Sequence, residues 1–269
     1  MNEAISTLQQ QLSSPQVWDG LIQVGVATLL ALIVLGISIL RKLKVESEVA
    51  VAFVRGFVQV VAAGSILGLI LVAPLPLAGV VLAAMVVIAA WISQQRAGGV
   101  PGAFYMSIIS IGFGAALVVS SMTAVGVIAP DMRSLVPVGS MIIANAMRTN
   151  SLALDQFRRQ IATNAALIEA GLALGASPGY VVAPFMASAV RSSLVPEIDT
   201  LRSLGIVFLP GLMAGMILSG ANPIYASEYQ FVIMAMIFAA SALTSMAVVA
   251  LIQRNAFTHA DQLAIRGQP

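Results

Sequence analysis

Between Leu21 and Leu40 the chain runs without one charged side chain. A helix of that length matches a bilayer core, which is about 30 Å thick and is crossed by roughly 20 apolar residues. Phe57–Ala73, Leu77–Ile92, Phe104–Ala129, Leu135–Leu154, Leu204–Ala221 and Phe231–Ile252 repeat the pattern in full or nearly so. Inside lipid the backbone has no water to bond, so such stretches must satisfy themselves as helices. Composition closes off a soluble alternative: 59% of residues are hydrophobic and 9% charged, where a soluble domain has about 25% charged residues. The sequence therefore predicts an all-α, polytopic membrane protein with about seven transmembrane helices. Residues 1–20 form an external segment and residues 21–269 a single transmembrane domain.

Charge sets the expected orientation. With the N-terminus outside and the C-terminus inside, Arg41, Lys42, Lys44, Arg55, Arg96, Arg148, Arg158, Arg159, Arg191, Arg202, Arg254 and Arg266 all fall in cytoplasmic segments, leaving only Arg133 outside. That is the bias expected of cytoplasmic loops. It also explains a pI near 9.3 without nucleic acid, because the basic residues flank spans. The first nineteen residues hold Glu3 and Asp19 but no Lys or Arg, so they lack the basic start of a cleaved signal, and the first span is read as an anchor. Pro74-Leu75-Pro76 cannot continue a helix and predicts a hairpin between the second and third spans. From Val45 to Phe57 apolar and charged residues alternate at helical spacing, which fits either an interfacial helix or a plain extension of the second span.

The largest segment between spans, residues 150–203, is cytoplasmic on this count. Leu154, Phe157, Ile161, Ala165, Ile168 and Leu172 recur at steps of three and four, predicting a continuous helix from Ser151 to Leu174 of about 36 Å. Gly175 stops it, and Ser177-Pro178 restarts a helix with serine as N-cap and proline in the first helical position. Together these make a rigid elbow.

The chemistry is defined largely by what is missing. There is no cysteine, which removes disulfides and thiolate metal sites. The only lysines, Lys42 and Lys44, follow no glycine, so no P-loop exists and any ATP must be hydrolysed by a partner. His259 stands near the C-terminus without a second histidine, which fits a solvated tail better than a metal ligand. With these spans none of the eleven acids lies mid-membrane, a pattern unlike that of proton- or ion-coupled carriers. Gln59 shares a helix face with Arg55, and Arg148 follows Asn145 by three. Either these four line a translocation path, or the arginines snorkel and the amides bond helix to helix, the more ordinary arrangement. Met141, Met147, Met213 and Met216 offer soft sulfur ligands, though methionine in an apolar chain is usually packing. Gly211, Gly215 and Ser219 form a stripe that permits close helix approach, within one chain or across a dimer.

One motif is more specific. Glu169-Ala170-Gly171-Leu172-Ala173-Leu174-Gly175-Ala176-Ser177-Pro178 resembles the E-A-A-x-x-x-G loop of ABC importer permeases, which docks in a cleft of an ATPase subunit, with Gly171 in place of the second alanine. An exposed acid, small residues and a bend suit such docking. Further segments, Pro137–Met147, Ile168–Ala176, Leu194–Pro196, Gly205–Gly215 and Ile217–Pro223, resemble in order and spacing the iron-export ABC permease family (FetB-like). The membrane subunit of a plant aluminium-tolerance ABC transporter is similar. The resemblance covers roughly Val45 to Leu263 and implies a homodimeric, multi-pass permease of a bacterial inner membrane. ATP and magnesium would sit in a separate cytosolic ATPase docked on Glu169, Ala170, Gly171, Gly175, Ser177 and Pro178. It implies export of a metal such as iron, with a nucleotide sugar as the alternative cargo. A channel, an ATP-independent carrier or a membrane scaffold are the rival readings.

Overall fold

A computed structural model describes residues 15–41, 46–70, 74–97, 100 and 102–255. Among them stand nine α-helices and no strand beyond one isolated bridge, Leu204 to Phe208. The chain divides into two compact units, Met1–Leu69 and Ile70–Pro269.

The first unit holds α1 (Pro15–Leu40) and α2 (Glu46–Ile70). Each contains a stretch long and apolar enough to cross a membrane, Ile22–Leu40 and Ser47–Ser65. The alternation before Phe57 is absorbed into α2, so the plain extension of the second span is what forms, and the apolar window begins at Ser47 rather than Phe57. Val45 and residues 71–73 lie outside the described residues, as does most of the segment expected before the first span.

The second unit contains α3 (Pro76–Arg96), α4 (Ala103–Ala124), α5 (Met132–Thr163), α6 (Ala165–Ala173), α7 (Pro178–Ser203), α8 (Gly211–Leu218) and α9 (Pro223–Asn255). α5 and α9 occupy its middle: α9 packs on α4, α5, α7 and α8, and α5 packs on α3, α4 and α7. Glycine sets how close some helices come. A Cβ on Gly114 of α4 would lie 2.7 Å from the Ala240 carbonyl oxygen of α9, and one on Gly139 of α5 would lie 2.7 Å from the Leu82 side chain of α3. Gly114 has no room for a larger residue, while at Gly139 the Leu82 side chain would have to move aside.

Four helices here are long and apolar enough to cross a membrane: Pro76–Arg96, Ala103–Ala124, Pro178–Ser203 and Pro223–Gln253. With the two in the first unit that makes six among the described residues. The fold class expected from the sequence holds, but several elements differ. The fifth stretch, Leu135–Leu154, lies inside the 32-residue α5, whose Asn145, Arg148, Asn150, Asp155, Arg158 and Arg159 make it amphipathic rather than a simple span. The sixth, Leu204–Ala221, is not a span. Gly205 turns at φ 77°, the amides of Ile206, Val207 and Phe208 all bond back to the Ser203 carbonyl, and α8 is only 8 residues long. Eight residues reach about 12 Å, well short of a bilayer.

The missing span is α7, placed by the sequence reading within a cytoplasmic region. Arg191, Glu197, Asp199 and Arg202, together with Pro184 and Pro196, masked it. Arg191 and Arg202 are therefore helix residues rather than loop residues, and Glu197 is an acid inside an apolar helix, contrary to the expectation that no acid lies in a span. The continuous helix expected from Ser151 to Leu174 is also interrupted. Asn164, at φ −108° and ψ 19°, ends α5 and begins α6.

A buried amide fastens three of the helices. The Asn150 side chain of α5 donates to the hydroxyls of Ser93 in α3 (2.6 Å) and Ser107 in α4 (2.8 Å). It accepts from Ser110 in α4 at 2.8 Å, and Ser151 adds a bond to Ser93 at 3.0 Å. Asn150, Ser93, Ser107 and Ser110 are fully buried. Deleting one member of such a network strands the others without water, which costs about 1–3 kcal/mol per orphaned group.

Candidate functional site

The elbow joins α5 to α7 through α6. Its geometry follows from the glycine that ends it. The Gly175 amide bonds the Leu172 carbonyl at 2.9 Å and the Ala176 amide bonds the Gly171 carbonyl at 3.1 Å, with Gly175 at φ 87°. This is a Schellman cap, which satisfies the last carbonyls of α6 and requires a left-handed residue. Proline then opens α7 as expected, although Ser177 makes no side-chain capping bond and serves through its backbone carbonyl, which accepts from Tyr180 and Val181.

One face of α6 is anchored. Ile168 is fully buried in a cluster with Phe157 and Ile161 of α5, Val182 of α7 and Val248 and Ile252 of α9. Gly171 explains its own departure from the alanine of the related motif. A Cβ there would come within 3.1 Å of Val181, so glycine lets α6 lie against the start of α7. The other face is open. Glu169, Ala170 and Ser177 are exposed, as are Leu167, Tyr180 and, at 89%, Leu174. The structure thus brings the elbow residues Glu169, Ala170, Gly171, Gly175, Ser177 and Pro178 into one short, stiff projection carrying one acid among apolar side chains.

The candidate path residues do not form one constellation. Arg55 and Gln59 are exposed on α2, in the first unit. Asn145, Arg148 and Met141 share α5, in the second. The Asn145 side chain donates to the Met141 carbonyl at 2.8 Å and accepts from Arg148, so it braces the arginine and bonds within its own helix. Met141 packs against the core of the second unit. Met213 of α8 receives a hydrogen bond from Ser227 at 3.5 Å and is half-buried. A Cβ added at Gly211 or Gly215 would meet nothing within 4 Å, so this stripe brings no helix close within the chain. His259 lies outside the described residues. Among the described residues no three His, Asp, Glu or Cys side chains stand together as a metal-holding group.

Two polar features were missed from sequence. Asn150, not Asn145, is the interhelical amide, and Ser107 and Ser110 at a three-residue step were its available signal. Glu197 was hidden because the helix restarting at Ser177-Pro178 was assigned to a cytoplasmic segment. It is 6% exposed, and the charge that acts on it is Arg148 of α5.

Nine α-helices with six apolar candidate spans among the described residues define a multi-pass, all-α membrane protein. The chain belongs to the family described as Uncharacterised protein family (UPF0014), which matches residues 21–257. It is 30% identical to the rice UPF0014 membrane protein STAR2 over 91% of this chain and 86% of that protein. It is 30% identical to Protein ALUMINUM SENSITIVE 3 of Arabidopsis thaliana over 91% and 90%. Against the Probable iron export permease protein FetB of Escherichia coli it is 27% identical over 90% and 93%. The resemblance read from the motifs is thereby borne out. No solved structure matches the chain.

Proposed function

We propose that this chain is the transmembrane subunit of an ABC transporter in a bacterial inner membrane, a homodimer driven by a separate cytosolic ATPase that docks on the elbow. The carrying observation is the elbow: α6, an anchored short helix, with its cap and the start of α7 offers Glu169, Leu167, Leu174 and Tyr180 to a partner. Binding of ATP and magnesium in the ATPase would draw two such subunits together and move the elbows, changing which side the path faces. With α5 crossing as a seventh, amphipathic span beside the six apolar ones, the elbow end faces the cytoplasm, the N-terminus lies outside and the C-terminus inside. The cargo is a metal such as iron leaving the cell, a reading supported by the relative named as an iron export permease. The buried Glu197 favours one second reading, an ion-coupled carrier that works without ATP.

Flux in proteoliposomes separates the two. With the partner ATPase present, changing its P-loop lysine should abolish iron movement, and a protonophore should leave it intact. Collapse of flux with the protonophore alone would establish the carrier instead.

A further inference from the structure

On α5, Thr149, Ala153 and Phe157 follow one another at four-residue steps, and the last two pack in one cluster with Val182 and Ala189 of α7 and Val248 and Val249 of α9. On α7 the matching row is Ala189, Ser193 and Glu197; on α9, read in the opposite direction, it is Val249, Ser245 and Ser241. Ser193 and Ser245 meet across this seam at 2.7 Å. One turn further from the elbow on all three helices, the rows bring Thr149, Glu197 and Ser241 to the same level. Thr149 is 1% and Ser241 0% exposed, and neither hydroxyl has a hydrogen-bond partner. Glu197 is 6% exposed, and among the described residues its carboxylate receives no hydrogen bond and forms no ion pair; Arg148 acts on it from a distance.

Buried oxygens are ordinarily partnered, and an unpartnered carboxylate inside an apolar helix is costly to keep. We propose that Thr149, Glu197 and Ser241 form an oxygen-lined site for a hard, partly hydrated divalent cation in transit, with Arg148 as the counter-charge the cation displaces. The proposal deepens the reading of the chain as a metal permease and rests on it. One carboxylate and two hydroxyls are too few for a resident metal, since a calcium-like ion takes 6–8 oxygens. A weak site that leaves water on the ion is what passage requires.

Mn2+ is the probe, titrated against the full-length chain in lipid nanodiscs and followed by loss of the free-ion EPR signal. Glu197→Gln should weaken binding at least about tenfold, the scale seen when even an outer partner of a metal ligand is removed. Thr149→Val and Ser241→Ala should each weaken it less, and Arg148→Gln should tighten it. Unchanged Mn2+ affinity in Glu197→Gln would make Glu197 a structural residue only and overturn the site. Weakened binding in Arg148→Gln would overturn it as well, even if Glu197→Gln fails to fold. Absence of Mn2+ binding by the wild-type chain also overturns it. Co-purification of the ATPase, measured on the same preparations, reports on the permease reading separately, because that depends on the elbow and not on Glu197.

Discussion

The elbow and the Leu204–Asn222 turn are built by one local rule and end up as different objects. Each is a helix of eight or nine residues between two long ones. Each closes on a left-handed glycine, Gly175 at φ 87° and Gly220 at φ 95°, with the same pair of capping bonds: Gly220 to Ile217 at 3.0 Å and Ala221 to Met216 at 3.0 Å repeat the Gly175 pattern. Each is followed by proline in the first helical position, Pro178 or Pro223. What differs is anchoring and charge. α6 buries Ile168 and displays Glu169; α8 buries no residue, and from Leu204 to Asn222 there is no charge at all, with Ile206, Val207, Leu209 and Leu218 exposed. Local capping chemistry decides that the chain turns. Side-chain polarity and burial decide whether the turn is an anchored one that carries an acid or an unanchored one that is apolar throughout.

Four experiments can break or sharpen that contrast. The largest effect is expected on partner binding. Glu169→Lys and Gly175→Val should abolish co-purification of the ATPase while the chain still inserts, whereas Gly220→Val, which imposes comparable backbone strain of about 1–3 kcal/mol, should leave it intact; equal behaviour of the two glycine variants would sink the distinction. Labelling comes next, made simple by the lack of native cysteine. Cysteine at Ser177 should react with a membrane-impermeant thiol reagent in inside-out vesicles, and cysteine at Ile206 should stay unreactive from both sides until detergent is added. Reaction of the Ile206 variant in intact vesicles would place the hairpin in water.

Anchoring predicts a smaller asymmetry. Ile168→Ala removes a fully buried side chain and should cost about 2–5 kcal/mol, against about 0.5 kcal/mol or less for Leu218→Ala at an 88% exposed position. Chemical denaturation in detergent would measure both. The smallest effect on function belongs to Met213→Leu, a near volume-conserving change expected to cost under about 1.5 kcal/mol and to leave iron flux unchanged. A large loss of flux there would make Met213 a sulfur ligand on the path.

The same contrast shows where sequence reading works and where it stops. The glycine stop at Gly175, the restart at Pro178 and the terminal spans were legible because they depend on near neighbours and on runs of one polarity. The exchange of Leu204–Ala221 for Pro178–Ser203 as a membrane helix was not. Hydropathy averages a window, so it favoured an uncharged stretch that contains Gly205 and Pro210 over a charged one whose Glu197 and Ser193 face neighbouring helices. A buried carboxylate looks like a loop residue until α5 and α9 stand beside it. Asn150 failed to register for the same reason: its partners Ser93 and Ser107 lie 57 and 43 residues away.

The position of Asn150 within α5 has a mechanical consequence. It pins the helix to α3 and α4 about 20 Å from the elbow end and about 27 Å from Met132, at 1.5 Å per residue. A long rod clamped nearer one end is a lever with its fulcrum off centre. A sideways push of about 2 Å at Thr163 would swing Met132 by about 2.7 Å the opposite way, the ratio of the two arms. Force applied at one end of α5 would thus arrive at the other as a larger displacement, with the serine-lined amide as the bearing.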